Sequence, residues 1–181
     1  MATTILLARH GETDWNNERR IQGHTDRPLN DTGLAQARAL GETLAEERID
    51  AVYASDLSRA LDTARIVAAP RGLAVTALPE LRERNFGTWE GMTDEEALRR
   101  FPESRNGGWG DGETPEALAE RIHAALEFIA RAHPGRHVLV VTHGGPVRAV
   151  LAWCGEEHDG AIPNCHVHRI AVEDGIARGI D

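Results

Sequence analysis

Residues 5–16 read ILLARHGETDWN, an apolar run that stops at Arg9 and His10 and gives way to glycine. A short apolar stretch closed by a polar, glycine-bearing turn predicts a buried strand that delivers side chains to the open edge of an α/β sheet. A histidine at such a place can attack as a nucleophile, and an arginine beside it offers a rigid fork of donors suited to a dianion. The same histidine can instead be a strand-end residue satisfied by backbone hydrogen bonds. This segment alone leaves both readings open.

Outward from that strand, the chain alternates between strand and helix patterns. A polar turn region over residues 11–30 is expected to hold no regular element, broken by Gly23 and Pro28. Asn30 or Thr32 then opens a helix with Leu34, Ala37, Leu40 and Leu44 on one face. A strand over 51–54 follows, and Ser55 or Asp56 is placed to cap the next helix, whose buried stripe is Leu57, Leu61, Ala64 and Val67. Residues 73–78 read as a strand, 79–91 as a polar loop, 93–101 as a short charged helix and 106–112 as a glycine-rich connection. Thr114 caps a long helix with Pro115 in its first turn and Leu118, Ile122, Ala125 and Ile129 on its apolar face. Residues 137–142 form a second buried strand, a helix runs from Gly145 and Pro146 to about Cys154, and strands over 166–172 and near Ile176 close the chain. This order predicts an α/β protein, a three-layer α/β/α sandwich with a mainly parallel, mixed central sheet.

Composition narrows the classes. The 181 residues suit one domain spanning 1–181, and 41% apolar content with a formal charge of −9 fits a globular protein. The acidic balance argues against nucleic acid as a partner, yet it leaves room for a small phosphorylated substrate, because salt screens distant surface carboxylates within about 10 Å. Two cysteines make no disulfide framework, no apolar run reaches membrane-spanning length, and no secretion signal is visible, so a cytoplasmic setting is expected. A P-loop, a GxSxG elbow and an HExxH helix are all missing. Cys165, His166 and His168 lack the spacing of a zinc finger or ribbon, so no metal and no cofactor is expected. Whether the chain pairs as a homodimer is left open.

Four segments end in chemistry-bearing side chains at corresponding places. Arg9 and His10 end the first strand, Arg59 lies in the first turn of a helix, Glu83 follows the third strand, and His143 ends the VLVVT strand. The carboxyl ends of parallel strands share one sheet edge, where ligand sites form, so these five residues are expected to converge. Plain alternatives exist for each. Glu83 could be a solvated carboxylate paired with Arg82 or Arg84, and Arg59 could pair on the helix surface with Asp56 or Asp62.

Each segment also resembles a motif of the histidine phosphatase superfamily, in its phosphoglycerate-mutase-like branch. RHGETDWN resembles the nucleophile segment, SDLSRALDTA the second arginine segment, LRERNFGTWEG the acid segment and VVTHGGPVRAV the second histidine segment. The resemblance implies a phosphoglycerate-mutase-like fold, with Asn16 lining the phosphate pocket and Gln22, Gly23, Arg84 and Gly144 near the substrate. It implies that neutral His10 attacks phosphorus and becomes a phosphohistidine, and that Arg9, Arg59 and His143 hold the non-bridging oxygens. His143 is expected to donate best when protonated, a form that a bound dianion favours, and the backbone donors at the helix start near Gly145 are expected to add to the anion site. Glu83 would protonate the leaving alkoxide and later take a proton from water.

Within that family the interval 92–116 reads as a short active-site rim. It carries Arg99, Arg100 and Arg105 against Asp94, Glu95, Glu96, Glu103, Asp111 and Glu113. Brevity and acidity favour an open pocket and hydrolysis by a phosphomonoesterase. The alternatives are mutase-type phosphoryl transfer, toward which ERNFG points, and a catalytically silent relative that only binds phospho-ligands. Phe86 stands where such mutases carry tyrosine, and Phe86, Trp89 and Glu90 are expected to pack. The remaining histidines read as surface or helix-face residues, with His24 near enough to touch substrate.

Overall fold

The computed structural model describes residues 1–102, 111–156, 158 and 160–180. Six strands form one sheet: β1 (Thr3–Arg9), β2 (Ala51–Ala54), β3 (Val75–Ala77), β4 (His137–Thr142), β5 (Val167–Glu173) and β6 (Ile176–Gly179), in the order β3-β2-β4-β1-β5-β6. The first four run parallel, β5 runs antiparallel to β1, and β6 antiparallel to β5. The described helices are α1 (Asp14–Asn17), α2 (Asp31–Thr43), α3 (Ser58–Ala68), α4 (Asp94–Arg100), α5 (Pro115–Ala132) and α6 (Gly144–Trp153). No helix among the described residues is long and apolar enough to cross a membrane.

The continuous apolar runs of β1 and β4 follow from burial on both sheet faces. Ile5 and Leu7 of β1 pack with Ile122, Leu126 and Ile129 of α5 and with Val147 and Leu151 of α6. Leu6 and Ala8 point the other way, against Leu40 of α2 and Ala60, Ala64 and Val67 of α3. Side chains of period two thus feed two separate cores, and the three layers follow.

Asn30 is the α2 cap, its side chain accepting from Gly33 N at 2.8 Å, and Thr114 caps α5 through Ala117 N at 3.2 Å. The stripe of α2 buries Ala37, Leu40 and Leu44 but leaves Leu34 half-buried.

Three local expectations are corrected. Residues 11–30 do contain a helix, the single turn α1, closed by a capping box between Thr13 and Asn16. Neither Ser55 nor Asp56 caps α3; Leu57 sits at the cap without a side-chain bond, because Asp56 is engaged by Arg82 at 2.7 and 2.5 Å. The strand expected over 73–78 shortens to β3, an edge strand with two of its three residues exposed. It has no second partner to extend it.

Candidate active site

The site lies at the carboxyl edge between β1 and β4, where the chain leaves neighbouring strands toward opposite faces: α2 follows β1 on one side, α6 follows β4 on the other. His10 N donates to Thr142 O at 2.9 Å, carrying the ladder one residue past β1. His10 and His143 therefore emerge side by side, their ring centroids 5.0 Å apart and their planes crossing at 64°.

Hydrogen bonding fixes what each ring presents. His10 Nδ1 lies 2.6 Å from the Gly11 carbonyl, which only accepts, so Nδ1 carries the proton and Nε2 keeps its lone pair. Arg59 Nε donates to His143 Nδ1 at 3.2 Å, so the His143 proton sits on Nε2. That buried Nε2–H finds no partner among the described residues, nor does Arg9 Nε. Burial, then the charges of Arg59 and Arg9, hold His10 well below the ordinary histidine value. Burial, with Arg59 and His10 close by, does the same to His143. Both rings are neutral here. The expectation of a charged His143 therefore does not describe the protein without a bound dianion.

Arg59 is fully buried, and its Nη atoms donate to Gly23 O at 2.8 Å and Thr25 O at 3.0 Å. Neither Asp56 nor Asp62 pairs with it; Asp62 instead pairs with Arg65. Burial lowers its pKa to about 10, while the charge of Glu83 opposes the fall. It remains a cation near neutral pH, fixed by carbonyls rather than by a carboxylate. Arg9 donates to the Ile162 carbonyl, and its guanidinium lies against Gly144.

Glu83 is not the partner of Arg82, which pairs with Asp56. Glu83 Oε1 accepts from Arg84 N at 2.8 Å and its Oε2 from Gly145 N at 3.1 Å, the opening of α6. A Cβ at Gly145 would stand 2.1 Å from Oε1, so only glycine admits the carboxylate at that approach. The helix start thus spends its Gly145 N–H on Glu83.

Asn16 and Gln22 serve the surrounding frame. Asn16 Oδ1 accepts from Thr13 N at 3.1 Å and Oγ1 at 3.2 Å, and Gln22, buried, accepts from Thr13 Oγ1 at 2.9 Å. Gly23 contributes its carbonyl to Arg59 with φ at +53°. Rim residues Glu103 and Arg105, and most of the glycine-rich connection, lie outside the described residues.

Several functional contacts escaped the sequence reading. Glu90, expected to pack, instead accepts from His24 N at 2.8 Å, Thr25 N at 2.7 Å, Thr25 Oγ1 at 2.5 Å and Phe86 N at 3.1 Å. It ties together the loop whose carbonyls hold Arg59. Thr63 Oγ1 accepts from Gly11 N and donates to Arg59 O, and Asn164 Nδ2 donates to His10 O. Trp89 does pack, buried and stacked on Phe101. Phe86 instead lies under the Arg84 guanidinium, 4.3 Å from ring centre, at the mouth of a cleft of about 690 Å³. The cleft runs from Glu83 and Arg84 between α5 and α6, past Leu118, Ala119, Arg148, Ala149 and the stacked pair His123 and Trp153. His123, expected at the surface, is part of this wall. His166 and His168 lie with rings 4.7 Å apart, and among the described residues no group of three His, Cys, Asp or Glu is arranged to hold a metal.

An imidazole with an open lone pair, a neutral donor imidazole, buried guanidinium and a carboxylate at one sheet edge suit phosphoryl transfer. Comparison with known proteins agrees. The family model "Histidine phosphatase superfamily (branch 1)" matches residues 5–177. A metal-independent phosphoserine phosphatase of Arabidopsis thaliana is 44% identical over 187 residues, covering 95% of this chain and 77% of its own length. Phosphoglycerate mutase-like protein 4 of the same plant is 43% identical over 157 residues, covering 81% and 68%. The solved structure of Bacillus stearothermophilus YhfR superposes with a TM-score of 0.90 at 33% identity, covering 98% of this chain and 95% of that one. The chain belongs to branch 1 of the histidine phosphatase superfamily. It is a phosphatase, with mutase-like proteins among its relatives.

Proposed function

We propose that the protein hydrolyses small phosphate monoesters through a phosphohistidine on His10 Nε2. The observation that carries this reading is the tautomer pair: one imidazole with an available lone pair and, 5.0 Å away, one with an unpartnered buried N–H. His10 Nε2 forms a bond to phosphorus as the ester P–O bond breaks, and Glu83 delivers a proton to the departing oxygen. Arg9, Arg59 and His143 Nε2–H hold the non-bridging oxygens, where charge spreads in the transition state. Glu83 then takes a proton from water, the water oxygen bonds to phosphorus, and the P–N bond breaks. No step calls for a metal.

The cleft beside Glu83 is the place for the leaving group. Its apolar wall suits a carbon skeleton, while Arg84 and Arg148 suit a second anionic group. This supports phosphorylated small acids as substrates, in line with the phosphoserine named for one relative. The same two arginines support a second reading, mutase-type transfer, which requires a grip on a second anion; the phosphoglycerate mutase-like relative is in keeping with it. Two unpaired thiols, Cys154 and Cys165, fit the cytoplasmic setting proposed for it.

Hydrolysis of a chromogenic aryl phosphate in chelator-containing buffer tests the first reading. Wild type should turn over and His10→Ala should fall to the buffer blank; equal rates would defeat it. Labelled 3-phosphoglycerate separates the two readings: label should emerge as inorganic phosphate, and label in 2-phosphoglycerate would establish the mutase.

A further inference from the structure

Arg121, on α5, uses all five of its N–H donors, three on the loop that carries Glu83 and two on the carboxylate of Glu113. Nε and Nη2 grip the Glu113 carboxylate at 2.8 and 2.7 Å in a bidentate pair. Nη1 donates to Glu80 O at 2.7 Å and Arg82 O at 3.0 Å, and Nη2 donates to Glu83 O at 3.2 Å. Glu113 in turn crosses to the same loop: its N donates to Asn85 O at 2.7 Å and its Oε2 accepts from Asn85 N at 3.2 Å. His24 Nε2 adds a second donor to Glu83 O at 2.9 Å. Burial would raise the Glu113 carboxyl, but hydrogen bonds and charge from Arg121 bring it below the ordinary range, as a committed ion pair requires.

We propose that Arg121, oriented by Glu113, is a positioning residue that sets where the Glu83 carboxylate stands for proton transfer. It touches no reacting atom. It fixes three consecutive-turn carbonyls, those of Glu80, Arg82 and Glu83, so the Glu83 side chain leaves the loop at the point where Gly145 N can hold it. A planar guanidinium can serve five acceptors in one plane; an ammonium with three donors on a flexible stem cannot. The proposal rests on the reading of Glu83 as the acid.

That role has a signature which a purely structural one lacks. An alkoxide leaving group needs the proton, whereas an activated aryl oxide departs with little help. The test compares kcat/KM for phosphoserine, an alkyl phosphate, with that for p-nitrophenyl phosphate in the same preparation, so that any loss of folded protein cancels in the ratio. This constant covers the steps through P–O cleavage and is unaffected by slow phosphohistidine hydrolysis. In Arg121→Lys, and in the neutral pair Arg121→Gln with Glu113→Gln, the alkyl substrate should lose at least about tenfold more than the aryl one. Adding Arg121→Lys to Glu83→Gln should produce no further change in the ratio. A parallel fall on both substrates, or an additive effect in the double variant, overturns the proposal while leaving the acid assignment intact. A ratio unchanged by Glu83→Gln itself removes that assignment, and the proposal falls with it.

Discussion

On the proposed mechanism His10 Nε2 attacks only while unprotonated, and burial with two neighbouring arginines holds the ring well below 6.5. The acidic limb of the kcat/KM profile therefore belongs below pH 6.5. Removing one of the cationic neighbours with Arg59→Gln should move that limb upward, measurable with an aryl phosphate across pH 4–8; a limb that stays put would mean another group titrates. Glu90 offers a second test. Gln at that position keeps the size but replaces one acceptor oxygen by an NH2 that confronts the N–H groups of the 22–25 loop. Glu90→Gln should raise the inhibition constant of inorganic phosphate about tenfold, the weight of roughly one buried hydrogen bond left unmet. The convergence of Arg9, His10, Arg59 and His143 was legible from strand ends and a first helical turn, while their chemical roles and that of Glu83 came with the family resemblance. Glu90 was not, since nothing in TWEG shows that a loop 65 residues away will close onto its carboxylate.

Helix α6 begins at the residue after His143, and its first turn is also the seat of the Glu83 carboxylate. Gly145→Ala places a methyl where Oε1 now lies and pushes the acid aside. Turnover of an alkyl phosphate should fall about a hundredfold, as expected for a displacement of order 1 Å, with aryl phosphate spared by comparison. Equal losses on both substrates would show that the helix start, rather than the acid, was disturbed. Elements with a strong local signal were read well: the Thr114 cap, Asn30 as one of two caps offered for α2, the α2 stripe save Leu34, the stripe of α5, and the doubly buried β1 and β4. Elements decided by distant partners were misjudged. Asp56 looks like a cap until Arg82 claims it, and β3 looks longer until its outer edge proves to have no neighbour.

For the molecule as a whole, two histidines sealed in neutral form make stability depend on pH. Their folded values lie below 6.5 while the unfolded chain titrates at about 6.5. The contribution is fully present above that value and is lost as pH falls through it, at up to about 1.4 kcal/mol per histidine per pH unit until the folded value is reached. Melting temperature should decline from pH 7 to pH 5, and His143→Asn should flatten the decline; an unchanged slope would show that other groups set it. The three-layer plan followed from alternation alone, but that the chain leaves the parallel neighbours β1 and β4 toward opposite faces, beside the rings of His10 and His143, needed the tertiary structure. One outcome of that divergence concerns how such a catalyst can change over time. On the proposed mechanism phosphorus chemistry is anchored to β1, β4 and α3, whereas the cleft proposed for the organic portion is walled by α5, α6 and the loop carrying Glu83. Substitutions along Leu118, Ala119, His123, Ala149 and Trp153 can exchange one clientele for another while the reaction itself stays intact.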